Sequence, residues 1–174
     1  LPAAKTGFSL SSTLFELKEG IRDLTITVDY QRPPAPGVDD PQPIIQLPSE
    51  TFSFESLNDN IRVYCTGEKG WLGPYELSSE SILLQNQMIL KFQITLDEPA
   101  IIAYHKDIHL EDYNTDRPVI RFLIDQSTEV GYDINRRLAL NTLTKIKVDI
   151  AVEEVTSLVL ENDTGVINAK KPFY

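Results

Sequence analysis

The chain has 174 residues, 41% of them hydrophobic, and carries 16 Lys and Arg against 26 Asp and Glu, a formal charge of −10 at pH 7. This length and apolar content suit one globular domain with a buried core and exclude a disordered chain. The acidic balance argues against nucleic acid and against an anionic membrane surface, since both need clustered Lys and Arg.

No apolar run approaches the roughly 20 residues of a membrane-spanning helix. A lone cysteine, Cys65, rules out an internal disulfide and gives no sign of an oxidising compartment. Leu1 to Gly7 carry neither an initiator Met nor a signal-peptide pattern, and we expect the chain to be cut from a larger protein.

From Leu24 onward the dominant period is two. Leu24, Ile26, Val28 and Tyr30 share one face, and Thr25, Thr27 and Asp29 the other, the alternation of a half-buried strand. The stretch from Gln31 to Pro48 then holds six of the eleven prolines: Pro33, Pro34, Pro36, Pro41, Pro43 and Pro48. Proline cannot donate to a ladder, so this segment reads as an extended surface loop or as an arm docked on a neighbour. Phe52 to Leu57 can form one short turn of helix.

Alternation resumes at Ile61–Thr66, with Cys65 in mid-strand beside Tyr64 and read as a small buried hydrophobe. Thr66 to Trp71 (TGEKGW) lacks the Gly-Lys-Ser/Thr ending of a phosphate loop and reads as a hairpin that lays Trp71 on the sheet. Ile89–Leu96 is the next strand. His105 and His109 lie four apart, as zinc ligands do on a helix, but a strand would separate them by about 13 Å at ~3.3 Å per residue. They read as surface-loop histidines. Asp97, Glu98, Asp107, Glu111, Asp112 and Asp116 lack the spacing of a calcium loop and read as a solvated face.

Val119–Asp125, Lys145–Val152 and Thr156–Glu161 are further strands, while Asp133–Leu140 fits either a helix or a strand. Asp163-Thr164-Gly165 matches the short aspartic-protease motif, but Glu161 and Asn162 before it solvate the site, and Asn-Asp-Thr-Gly is good turn chemistry. The triplet turns the chain. Strands without intervening helices imply an all-β antiparallel sandwich over residues 1–174, Greek-key in connection, with roughly seven to nine strands and little helix. The expected core is Phe8, Leu10, Leu24, Ile26, Val28, Leu90, Phe92, Ile94, Phe122, Val148, Ile150 and Leu160. No catalytic, metal or cofactor constellation stands out, and we expect a non-enzymatic domain.

Gly7, Phe8, Leu10, Ser11, Leu14, Leu17, Glu19, Gly20 and Arg22 form a block that resembles the baseplate J-like proteins of contractile injection systems. TGEKGW, DEPAI ending at Ile101, and the C-terminal Leu160, Asn162, Asp163, Gly165, Ile167, Lys171, Pro172 and Phe173 are similar to that family's pattern; the proline-rich stretch is not.

The resemblance implies a wedge that docks subunits around the hub and couples triggering to sheath contraction, as in antifeeding-prophage-type particles, phage tails and the type VI apparatus. It implies other baseplate and hub subunits, or further copies of the chain, as partners. It also implies assembly in the bacterial cytoplasm into a released or membrane-anchored particle. No cofactor, nucleic acid or membrane insertion is expected. The candidate interface is Leu1, Lys5, Pro33, Pro34, Pro36, Pro41, Pro43, Lys170, Lys171, Phe173 and Tyr174. The competing reading is a carbohydrate- or surface-binding sandwich of a secreted or periplasmic protein, with Trp71, Tyr75 and Tyr104 as a stacking platform.

Overall fold

Strand β2 (Ile21–Gln31) organises the molecule, and its sequence explains how. Arg22, Leu24, Ile26, Val28 and Tyr30 are buried and the residues between them only half so, which is the period of two in the sequence. Antiparallel partners flank it: β6 (Gln87–Ile94), with Leu24 opposite Phe92, and β8 (Thr142–Glu153), with Leu24 opposite Ile150. A two-residue strand β5 (Ile82–Leu83) completes a four-stranded sheet in the order β5-β6-β2-β8. The computed structural model describes residues 6–31, 54–84, 86–153, 159–162 and 165–168.

The facing sheet runs β1 (Thr6–Ser11), β7 (Val119–Ile124), β3 (Ile61–Gly67), β4 (Gly70–Tyr75), again antiparallel throughout. The chain changes sheet at β1→β2, β2→β3, β4→β5, β6→β7 and β7→β8. Neither sheet could therefore form alone from consecutive hairpins. The all-β antiparallel sandwich expected from the sequence is present, with eight strands in its two sheets. A separate pair, β9 (Val159–Asn162) and β10 (Gly165–Asn168), adds an antiparallel hairpin in which Asn162 faces Gly165.

The core lies between the sheets. Leu24, Ile26, Val28, Leu90, Phe92, Ile94 and Phe122 are buried there, and Phe8, Leu10, Val148 and Ile150 pack partly buried against them. Of the expected core, only the Leu160 side chain lies outside the described residues. Phe8 stacks on Phe122 with ring centres 4.7 Å apart. Gly7 permits that approach: a methyl group on it would sit 1.9 Å from the Phe122 carbonyl oxygen.

One member of the inner face of β2 is a cation. Arg22 is fully buried, and its terminal nitrogens donate to the carbonyls of Leu17, Thr95, Glu98 and Pro99 at 2.9–3.3 Å. It ties the connection before β2 to the one after β6. Arg22 keeps the strand's period but not its polarity.

The ambiguous stretch at 133–140 is helical. Helix α3 (Glu129–Leu140) starts at Thr128, whose side chain accepts from Gly131 N–H at 2.9 Å. Ile134 and Arg137 are its buried residues, with Gly131 held tight against the Asp125 carbonyl. Helix α1 (Phe54–Asn60) overlaps the short turn expected at Phe52–Leu57, whose first two residues lie outside the described residues, and runs directly into β3.

Candidate functional site

The outer face of the β1-β7-β3-β4 sheet carries a cluster of polar and aromatic side chains. Strand β7 has both faces covered: Ile120, Phe122 and Ile124 point into the sandwich, while Arg121 is only 7% exposed on the other side. The cover is the connection between β6 and β7. It is fixed to the sheet by Ile102 N–H to the Thr66 carbonyl (3.0 Å) and by the Thr66 hydroxyl to the Ile102 carbonyl (2.6 Å). Within it, helix α2 (Lys106–His109) packs beside β4.

Arg121 is the centre of this layer. Its Nη1 donates to Glu111 Oε1 at 2.7 Å, and its guanidinium carbon lies 3.8 Å from the Trp71 ring centre and 4.8 Å from that of Tyr64. Stacking on two rings compensates the cation for lost water. Its Nε is buried with no hydrogen-bond partner among the described residues. The β3–β4 hairpin delivers Trp71, as its glycines suggested, and Trp71 Nε1 donates to the His109 carbonyl at 2.9 Å. Tyr104 stacks on His109 at 5.3 Å, and Tyr113 meets Tyr104 and Trp71 edge-on at 5.4 and 6.2 Å.

The histidines depart from the sequence reading. His105 is exposed, but His109 is 3% exposed at the end of α2, not on a surface loop. His109 Nδ1 lies 3.0 Å from His105 N–H and Nε2 lies 3.1 Å from the Gly67 carbonyl. Nδ1 also lies 2.9 Å from the His105 carbonyl. Both nitrogens are thereby spent on the main chain. Trp71, from a distant hairpin, and Tyr104, five residues earlier in the chain, cover this ring.

Two clefts adjoin β1. The larger, about 560 Å³, runs along all six residues of the strand and is walled by Glu111, Tyr113, Asn114 and Thr115, with Arg121 among its lining residues. Ser9 and Tyr113 hydroxyls (2.8 Å) and Ser11 and Thr115 hydroxyls (2.8 Å) hold that wall to the strand. The second, about 340 Å³, is lined by Phe8, Leu10, Val28, Leu138, Leu143 and Ile146. A cleft with hydroxyl and charged groups in its wall and a mostly apolar one thus lie beside one strand.

Leu1, Lys5, Pro33, Pro34, Pro36, Pro41, Pro43, Lys170, Lys171, Phe173 and Tyr174 all lie outside the described residues, as does Asp163. The Asn162–Gly165 pairing on either side of Asp163 fits the turn reading. Cys65 is buried as expected, and burial pushes its thiol pKa far up. The acidic residues disperse: Glu111 pairs with Arg121, Asp112 with Lys106 (2.5 Å), and Asp97 accepts from Thr95. Among the described residues no three metal-ligating side chains gather, and no helix is long and apolar enough to cross a membrane.

Tyr75 and Tyr104 are 8% and 4% exposed, Tyr75 against Phe92 and Tyr104 against His109, so their ring faces do not join Trp71 in an open platform. Sequence reading missed Arg121, Ser9, Glu111 and Tyr113 as neighbours. The available signal was a lone cation inside the apolar run Val119–Ile124, which marks a strand face that needs a partner. No family model matches the chain, and no curated protein is significantly similar to it.

Proposed function

We propose that the chain is a structural, non-enzymatic component of the baseplate of a phage-tail-like contractile injection system. In this role it docks other baseplate and hub subunits and couples triggering to sheath contraction. The observation that carries the reading is the block Gly7, Phe8, Leu10, Leu17 and Arg22, with its later companions at Trp71 and Ile101. These residues hold framework positions: Gly7 and Phe8 meet Phe122, Arg22 clamps two connections, Trp71 covers Arg121, and Ile101 is in the core. A pattern made of framework positions fits a likeness of architecture rather than of bond chemistry.

The surface supports a docking role. Leu140, Leu143, Ile146 and Val152, on α3 and the edge strand β8, are 40–51% exposed. Apolar side chains along a twelve-residue edge strand are what an assembly partner covers. Purification of intact particles from the native host tests the reading. The chain should co-sediment with sheath and tube subunits, with lysine cross-links from Lys145 and Lys147 to a second baseplate protein. Absence from a particle fraction that contains sheath and tube overturns it.

A further inference from the structure

Strand β1 ends its sheet, and the direction of its hydrogen bonds can be read from its last turn. Ser12 N–H donates to the Pro118 carbonyl at 3.2 Å, one step beyond the Ser11–Val119 pair. In an antiparallel ladder the N–H and C=O of one residue point the same way, and the direction alternates along the strand. Leu10 and Ser12 therefore turn toward β7. Ser9 and Ser11 turn their N–H and C=O outward, where no described strand meets them.

The two clefts lie on opposite faces of that edge. A strand laid along β1 would send alternate side chains to the Arg121–Glu111 cleft and to the cleft of Phe8, Leu138 and Ile146. The second cleft takes apolar groups. In the first, the charges of Arg121 and Glu111 offset one another at 2.7 Å, so neither a free anion nor a free cation is favoured. Trp71 and Tyr64 cover Arg121, so the groups open to a ligand there are the hydroxyls and amide of Ser9, Ser11, Tyr113, Asn114 and Thr115, and a carboxamide, which both donates and accepts, suits them.

We propose that β1 binds, by strand addition, an extended segment of a partner protein in which apolar side chains alternate with Asn or Gln. The six residues of β1 set the length at about six residues. The inference deepens the assembly reading above and rests on it only for the source of the strand. Peptide binding by the purified chain tests it without particles, so the two can fail separately.

The experiment displays two peptide libraries of equal composition, one alternating Val, Ile or Leu with Asn or Gln and one with the order scrambled, against the full chain. Only the alternating library should enrich. A selected peptide should slow amide exchange at Ser9 and Ser11 by about tenfold or more. Ser9→Pro removes an outward N–H without touching the ladder to β7, and should weaken binding about tenfold or more. Melting of Ser9→Pro checks its fold, and the exchange measurement on wild type stands independently of that variant. Failure to enrich the alternating library, or peptides that bind Ser9→Pro unchanged, overturns the proposal. Slow exchange at Ser9 and Ser11 in the free protein also overturns it: at all concentrations this means the chain covers its own edge, and only at high concentration that a second copy does.

Discussion

Two strands each bury an arginine, and the molecule satisfies the two in different ways. Arg22 points between the sheets, where four main-chain carbonyls from two connections surround its terminal nitrogens. Arg121 points away from the sandwich, between the Trp71 and Tyr64 rings, with a carboxylate that is 41% exposed as its partner. Carbonyls are fixed by the backbone and cannot be exchanged for another ligand. Rings and a half-exposed carboxylate can. The first arrangement therefore builds the frame, whereas the second sets a covered cation at the wall of a cleft.

The sharpest way to break this contrast is Arg22→Met. Removing the guanidinium strips donors from carbonyls that no substitution can delete. Leu17 and Thr95 keep other N–H partners, from Ile101 at 2.9 Å and Glu98 at 3.1 Å, which leaves the Glu98 and Pro99 carbonyls most exposed to the loss. At about 1–3 kcal/mol for each unsatisfied buried group, we expect a fall of about 3–5 kcal/mol in urea unfolding. A variant as stable as wild type would show that Arg22 is a passenger rather than a clamp.

A smaller effect is expected on the outer face. A double-mutant cycle on Arg121→Lys and Trp71→Leu should return a coupling of about 0.5–2 kcal/mol, because Lys cannot lie flat between two rings. Additive losses would mean that the 3.8 Å contact carries no energy of its own.

The last effect belongs to pH. Tyr30 closes the same inner face of β2 that Arg22 opens, and its hydroxyl donates to the Leu84 carbonyl at 2.7 Å. Burial, partly offset by Arg137, pushes its phenol from the ordinary 10.0 up to about 12. The fold thus favours the protonated phenol. That stabilisation is complete below the unfolded value of 10.0 and is lost as pH rises from there to about 12. Tyr30→Phe should flatten this part of the alkaline melting curve. Tyr75 and Cys65, whose phenol and thiol burial also raises, would supply slope that remains.

The sequence by itself determined the strands whose two faces meet different media. In β2 and β6 one face meets the core and the other is less buried, so the polarity alternates and both strand and inner face could be named in advance. Cys65 was legible for the same reason, as an apolar-phase residue in a strand with no partner to activate it.

Only the tertiary structure decided the rest, because it depends on what covers a surface. The outer face of β7 is buried by residues contributed from 64, 71 and 111, and no local period can announce them. His109 is buried by the same cover, while its neighbour His105 stays exposed. The 133–140 stretch became helix because Thr128 caps it and Ile134 and Arg137 find a place against the sandwich. Arg22 fits the apolar phase of β2 only because two remote connections bring carbonyls to it. Period reports whether a side chain faces in or out, whereas the groups that satisfy a buried charge come from elsewhere in the chain.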